Sequence, residues 1–106
     1  MIYVVTFKAQ RGFFDRNAQD FYQELQRPPL TRASIRYSDE GWFVTTNETS
    51  DQLFARLFAH MLANDRLLIV QLTPEAAQNY RGYLHQTVWD WLNAQIIAGA
   101  LSLQYP

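Results

Sequence analysis

Between Ile2 and Phe7 the apolar residues fall on both parities, Ile2 and Val4 on one and Tyr3, Val5 and Phe7 on the other. β-Branched and aromatic residues on both parities predict a strand covered on both faces, hence a central one. After a loop near residues 8–16, Phe14, Ala18, Phe21, Tyr22 and Leu25 recur at helical spacing, with Gln19, Asp20, Gln23 and Glu24 off the stripe. Asp15 or Asn17 can cap that helix, and Pro28-Pro29 stops it. Thr31, Ala33, Ile35 and Tyr37 then alternate with Arg32, Ser34 and Arg36, the pattern of a half-exposed strand. Ser38-Asp39-Glu40-Gly41 supplies turn chemistry, and Trp42 to Thr46 returns as the second arm of a hairpin.

Thr49-Ser50-Asp51-Gln52 reads as a capping box, in which the Thr49 hydroxyl and the Gln52 side chain satisfy each other's backbone amides. Behind it Leu53, Phe54, Leu57, Phe58, Met61 and Leu62 predict a helix lying on a sheet, ended by Asn64-Asp65. Arg66 to Leu72 is apolar on both parities and predicts another strand covered on both faces. Thr73-Pro74-Glu75 starts a short helical turn that Gly82 breaks. Tyr83 to Ile97 predicts a final helix with Leu84, Val88, Trp91, Leu92 and Ile96 on one stripe. Residues 98–106 carry little pattern and form a tail to a domain of residues 1–97.

The order β-α-β-β-α-β-α with a central hairpin is a split βαβ, a ferredoxin-like α+β fold with an added C-terminal helix. Right-handed crossovers place the first two helices on one sheet face. The second face then needs a cover, because a large bare apolar surface is unusual on a soluble monomer. The C-terminal helix or a second copy of the chain can supply it. The preferred expectation is a homodimer, through the sheet face or an edge strand. Trp89 and Trp91 stand on adjacent faces of the last helix, so one is expected to meet the core and the other a partner.

Composition narrows the class without naming a function. At 106 residues, 48% apolar and 18% charged, the chain is one ordered domain. No apolar run approaches the ~18 residues of a membrane span, so no membrane association is expected. The opening lacks a basic stretch ahead of its apolar run, which predicts no secretory leader and a cytoplasmic location. Without cysteine, disulfides, Cys-ligated zinc and a thiol nucleophile are excluded. Formal net charge is −1, yet residues 1–36 are net basic and residues 37–106 net acidic.

Several segments together resemble a known family. Ile2-Tyr3-Val4-Val5-Thr6-Phe7 is similar to the opening strand of the CRISPR-associated Cas-two proteins and their SinR-like relatives. Gly41-Trp42-Phe43-Val44-Thr45-Thr46 resembles the SinR-like hairpin return, and Asn64-Asp65-Arg66-Leu67-Leu68-Ile69-Val70 the lead into the fourth strand. Gly82-Tyr83-Leu84 and Val88-Trp89-Asp90-Trp91-Leu92 resemble a terminal signature of that group. The resemblance spans most of residues 1–95 and implies a ferredoxin-like homodimer. Active members end the first strand in an Asp, and two such Asp flank a metal at the dimer axis; the virulence-associated protein D ribonucleases share the fold. Here the matching pair is Phe7-Lys8, so Lys8 stands at the ligand position. An ammonium repels a divalent cation that needs hard anionic oxygens, so the metal-nuclease mechanism is expected to be absent. No carboxylate precedes Asp15.

No catalytic residue, metal ligand or cofactor is assigned. His60 and His85 lie 25 positions apart without metal-ligand spacing and read as packing or surface residues. Asp15, Asp39 and Glu40 read as cap and turn residues, and Ser34, Ser38 and Ser50 lack a nucleophile-elbow context. Trp42, Trp89 and Trp91 could stack bases but read first as core or interface. Lys8, Arg11, Arg16, Arg32 and Arg36 form the candidate nucleic-acid-binding set, because phosphates are held by forked donors and point charges. Arg32 and Arg36 are expected to share a strand face. Ion pairing with Asp39 or Glu40 is the competing account. The expected function is a catalytically inactive dimeric binding or scaffold protein with RNA or DNA as candidate partners. A ribonuclease using a displaced carboxylate such as Asp15 or a metal-free mechanism is one alternative. A pure protein-interaction module, which the mild net charge favours, is the other.

Overall fold

Strand β1 (Ile2–Lys8) runs through the interior of a four-stranded antiparallel sheet, as its doubly apolar pattern requires. The structure, a computed structural model, describes residues 1–10, 16–73 and 85–97. The sheet order is β2-β3-β1-β4, with β2 at Thr31–Ser38, β3 at Gly41–Thr46 and β4 at Arg66–Leu72. Helices α1 (Arg16–Leu25) and α2 (Ser50–Phe58) follow β1 and β3, and α3 (Gln86–Ile97) closes the described chain. Phe14, Asp15, the turn near Pro74 to Gly82, Leu84 and the tail 98–106 lie outside the described residues. No helix among the described residues is long and apolar enough to cross a membrane.

Helices α1 and α2 share one sheet face, as the crossover rule predicts. Tyr3, Val5 and Phe7 of β1 and Trp42 and Val44 of β3 pack there against Ala18, Phe21, Tyr22 and Leu25 of α1 and Leu53 and Leu57 of α2. The Phe7 and Phe21 rings stack with centroids 3.7 Å apart, and Tyr22 lies 4.8 Å from Trp42. Each such fully buried large side chain stabilises the fold by about 1.5–3 kcal/mol. The capping box forms as the sequence predicts: Gln52 N–H donates to Thr49 Oγ1 at 3.2 Å and Thr49 N–H to Gln52 Oε1 at 2.9 Å. At α1, Asn17 lies inside the helix and is not its cap.

Two predicted stripes are less covered than their periodicity implies. Helix α2 ends at Phe58, not at Asn64-Asp65; Asn64 turns the chain at φ 71°, and Asp65 accepts N–H bonds from Leu62 and Gln10. Of the six residues of the predicted stripe, Met61 and Leu62 lie beyond the helix and only Leu53 and Leu57 are buried, while Phe54 and Phe58 are 45% and 57% exposed. Strand β4 is likewise not covered on both faces, since Leu68 and Val70 are 59% and 47% exposed. The reason is strand order: among the described strands β4 stands at the sheet edge, and an edge strand has fewer neighbours to bury it.

The second sheet face is covered by α3 in part. Val88 and Leu92 pack on Ile2 and Phe43, with Val4, Ile35, Tyr37 and Leu72 around them. Trp89 and Trp91 both pack against this cluster, which corrects the expectation that they cannot share a core. Val88 and Leu92 point at the sheet, and the two tryptophans flank them about 80° to either side of the helix axis. The open remainder is the quadrant where β1 ends and β4 begins, holding Lys8, Arg66 and Leu68.

Strand β2 carries two register shifts, between Thr31 and Ala33 and between Arg36 and Ser38. The first moves Thr31 onto the α1/α2 side, away from Ala33, Ile35 and Tyr37, with which it was expected to align. The second sets the Tyr37 ring over Gly41, where an added Cβ would lie 2.2 Å from Cζ. Glycine is required there by space.

Candidate functional site

The structure disperses the predicted basic set. Arg11 lies outside the described residues, and Arg16 begins α1. Arg36 stands opposite Trp42 with its guanidinium 5.3 Å from that ring and 6.0 Å from Tyr22. Its Nε donates to Ser38 O and its terminal nitrogen to Asp39 O, both at 2.9 Å, with Asp39 Oδ1 at 3.5 Å. This is the ion-pairing account for Arg36, with two ring faces added. Arg32 is the extra residue of the first register shift, and it donates to Asn47 Oδ1 at 3.5 Å. The shift separates Thr31 from Ala33 and leaves Ala33 to Arg36 in unbroken alternation, with Arg36 on the α1/α2 side opposite Trp42. Arg32 and Arg36 stand near opposite ends of β2, roughly 13 Å apart along the strand.

Lys8 is placed differently. It is the cross-strand partner of Arg66, so two cations lie side by side on the second sheet face. Both are exposed, and among the described residues neither forms an ion pair. Like charges directly opposite in a sheet oppose folding by up to about 1 kcal/mol. An anion seated between them reverses that sign. Leu68 and then Val70 continue the same face inward, so the cations border an exposed apolar strip.

A second cluster was missed by sequence reasoning. The Arg56 side chain, 9% exposed, projects from α2 between α1 and the end of the hairpin. It grips both Glu48 oxygens through Nε at 3.2 and 3.1 Å, and Glu48 Oε1 again at 2.6 Å. It also donates to Thr31 Oγ1 at 3.0 Å, Glu24 Oε2 at 3.3 Å and the Glu24 carbonyl. Glu24 in turn meets His60 Nε2 at 3.2 Å and Arg27 at 3.3 Å. Burial alone would raise the Glu24 carboxyl, but hydrogen bonds from His60 and Arg56 and the charges of Arg27 and Arg56 hold it below its ordinary value of 4.5. The available signal was an arginine one position before the buried Leu57, with two glutamates upstream of unassigned role. Sequence spacing cannot bring residues 24, 48 and 56 together; only packing of α1 on α2 does.

A concavity of about 520 Å³ adjoins this cluster, lined by Asp20, Glu24, Arg27 and His60 among others. Its polar groups already satisfy one another. Arg56 is saturated by protein acceptors, and Glu24 is held by three donors. The cluster therefore clamps α1, α2 and the hairpin and leaves little for a ligand. His85 has a local role: its Nδ1 accepts the Thr87 N–H at 3.2 Å at the start of α3. Trp42 is buried between Tyr22 and Arg36 and offers no open ring for base stacking. The Lys8–Arg66 quadrant thus keeps two exposed cations beside an exposed apolar strip. Scans of family models, of curated proteins and of solved structures found no match to this chain.

Proposed function

We propose that this chain is a dimeric, non-catalytic binding or scaffold protein of ferredoxin-like fold, similar to the Cas-two and SinR-like proteins, acting on nucleic acid through the quadrant around Lys8. The strand order β2-β3-β1-β4 with α1 and α2 on one face supports the fold reading, since each βαβ crossover then skips one antiparallel strand. The observation that carries the function is the cross-strand pairing of Lys8 with Arg66. Where an active relative holds a metal-binding Asp at the end of its first strand, this chain sets two positive charges. A divalent cation is repelled there, and a phosphate oxygen is attracted. The same substitution that removes nuclease chemistry thus creates a phosphate contact.

The test is fluorescence anisotropy with labelled single-stranded RNA and duplex DNA, with magnesium and with chelator, followed by a denaturing gel of the same samples. Binding without cleavage is expected, weakening steeply with salt. Lys8→Glu and Arg66→Glu should each reduce the salt slope by about 1 without lowering the melting temperature, since each turns a like-charge pair into an opposite-charge one. Cleavage that disappears with chelator, or no binding at low salt, overturns the reading.

A further inference from the structure

The outer edge of β4 is built to pair. In β1, Phe7 N–H donates to Glu40 O at 2.8 Å, and Met1 O accepts from Thr46 N–H at 3.0 Å. Odd-numbered residues of β1 therefore bond to the β3 side, and Ile2, Val4 and Thr6 bond to β4. Their partners are Leu72, Val70 and Leu68. It follows that Leu67, Ile69 and Gln71 direct both backbone groups outward, where no described strand pairs with them.

Exposed apolar side chains flank this edge on both faces. Leu68 and Val70 lie on the α3 side. On the other side α2 packs against both α1 and β4. Arg56 reaches α1 from one flank of α2, and Phe54 and Phe58 stand about 160–200° around the axis from it. They therefore overhang β4, with their rings stacked 5.3 Å apart. Strands that end a sheet in a monomer are usually blunted by charges, proline or bulges. β4 keeps seven consecutive residues in register with β1, and its one charge, Arg66, is at its end.

We propose that β4 pairs with β4 of a second copy, antiparallel about a two-fold axis at Ile69, joining two sheets into one of eight strands. The inference rests on the dimeric part of the proposed function and moves the axis away from the end of β1, where the resemblance would set it, because two Lys8–Arg66 pairs meeting there would repel. Self-complementarity identifies the occupant. A two-fold at Ile69 sets the outward-bonding residues opposite one another, Ile69 on Ile69 and Leu67 on Gln71. Leu68 then faces Val70 of the other copy in a non-hydrogen-bonded pair, where side chains approach most closely. The two Arg66 charges fall at opposite ends of the seam, roughly 20 Å apart, beyond the screening length at physiological salt. Phe54 and Phe58 of both copies close over the seam on the helix side. The four half-exposed side chains offer on the order of 400 Å² per copy, about half the side of a standard interface before the strand backbone is counted. The Lys8–Arg66 pairs of the two copies then lie on the same face of one continuous sheet.

Sedimentation velocity of the full chain over a hundredfold concentration range tests this. The wild type should approach the mass of two copies. Leu68→Glu and Val70→Lys should each raise the dissociation constant about tenfold or more, with circular dichroism unchanged. The double variant Leu68→Glu/Val70→Lys should recover the dimer, because the register puts opposite charges across the seam. In the unsubstituted protein, amide exchange at Leu67, Ile69 and Gln71 should slow as concentration rises. A dimer unmoved by these substitutions overturns edge pairing and leaves the dimeric scaffold standing, with another face as its interface. A monomer at every concentration overturns both.

Discussion

The two edges of the sheet are managed in opposite ways. β2 carries two register shifts and two arginines, and Pro28-Pro29 precedes it. Its first residue is pinned inward, with Thr31 Oγ1 donating to Leu25 O at 2.6 Å and accepting from Arg56 at 3.0 Å. β4 has no register shift, no proline, apolar side chains exposed on the α3 face, and two exposed phenylalanines of α2 on the opposite face. An irregular, charged edge presents no regular row of donors and acceptors to a passing strand. A regular, apolar edge does. The difference teaches that, among the described strands, one edge is closed by its own irregularities and charges while the other keeps the regular backbone row of a strand able to pair.

If β2 and its surroundings are closed by Arg56, removing that side chain should break the contrast most severely. Arg56→Ala leaves Glu24 and Glu48 buried without their main cation and should lower unfolding free energy by about 3–5 kcal/mol. Thermal denaturation should register a drop of roughly 10 °C or more. Arg56→Lys should recover only part, since an ammonium cannot fork onto both Glu48 oxygens while reaching Thr31 and Glu24.

A smaller effect is expected at the turn end of the same edge. Gly41→Ala drives a methyl into the Tyr37 ring and should cost about 1–3 kcal/mol. Combined with Tyr37→Ala the two losses should fall well short of additive in a double-mutant cycle, because the clash is gone.

Acid sharpens the comparison further. The Glu24 carboxyl is held below its ordinary 4.5 in the folded state, so its contribution is complete above that value and is lost as pH falls through the lowered folded value. Melting temperature measured downward from neutral pH should therefore decline in the acid range, and Glu24→Gln should flatten that decline. A profile as steep in Glu24→Gln as in wild type would place the acid sensitivity elsewhere.

The smallest effect belongs to β4. Leu68→Ser, measured dilute, should change stability by no more than about 0.5 kcal/mol, because the side chain is already in water. A loss of several kcal/mol would mean that β4 is closed within the single chain, and the contrast between the edges would fall.

Much of the architecture was legible along the chain. The double parity of Ile2 to Phe7 placed β1 in the sheet interior, the Thr49–Gln52 spacing set the start of α2, and the Val88–Leu92 stripe marked the buried face of α3. Of the candidate site, Lys8 was legible and Arg66 was not, since its meaning depends on the strand that pairs with Lys8. The Arg56 clamp was illegible for the same reason, its three acidic and hydroxyl partners being 8 to 32 positions away.

The sequence by itself determined which segments become helix or strand and in what order, because period and capping are local properties of backbone and side chain. Tertiary structure alone decided how far each apolar stripe is covered. Arg66 to Leu72 reads the same whether it lies in the middle of a sheet or at its edge; only the pairing of β1 with both β3 and β4 makes it an edge. The register shift at Arg32 likewise depends on the hydrogen bonds of β3 opposite, so the turning of Thr31 out of line with Ala33 could be fixed only once the two strands met.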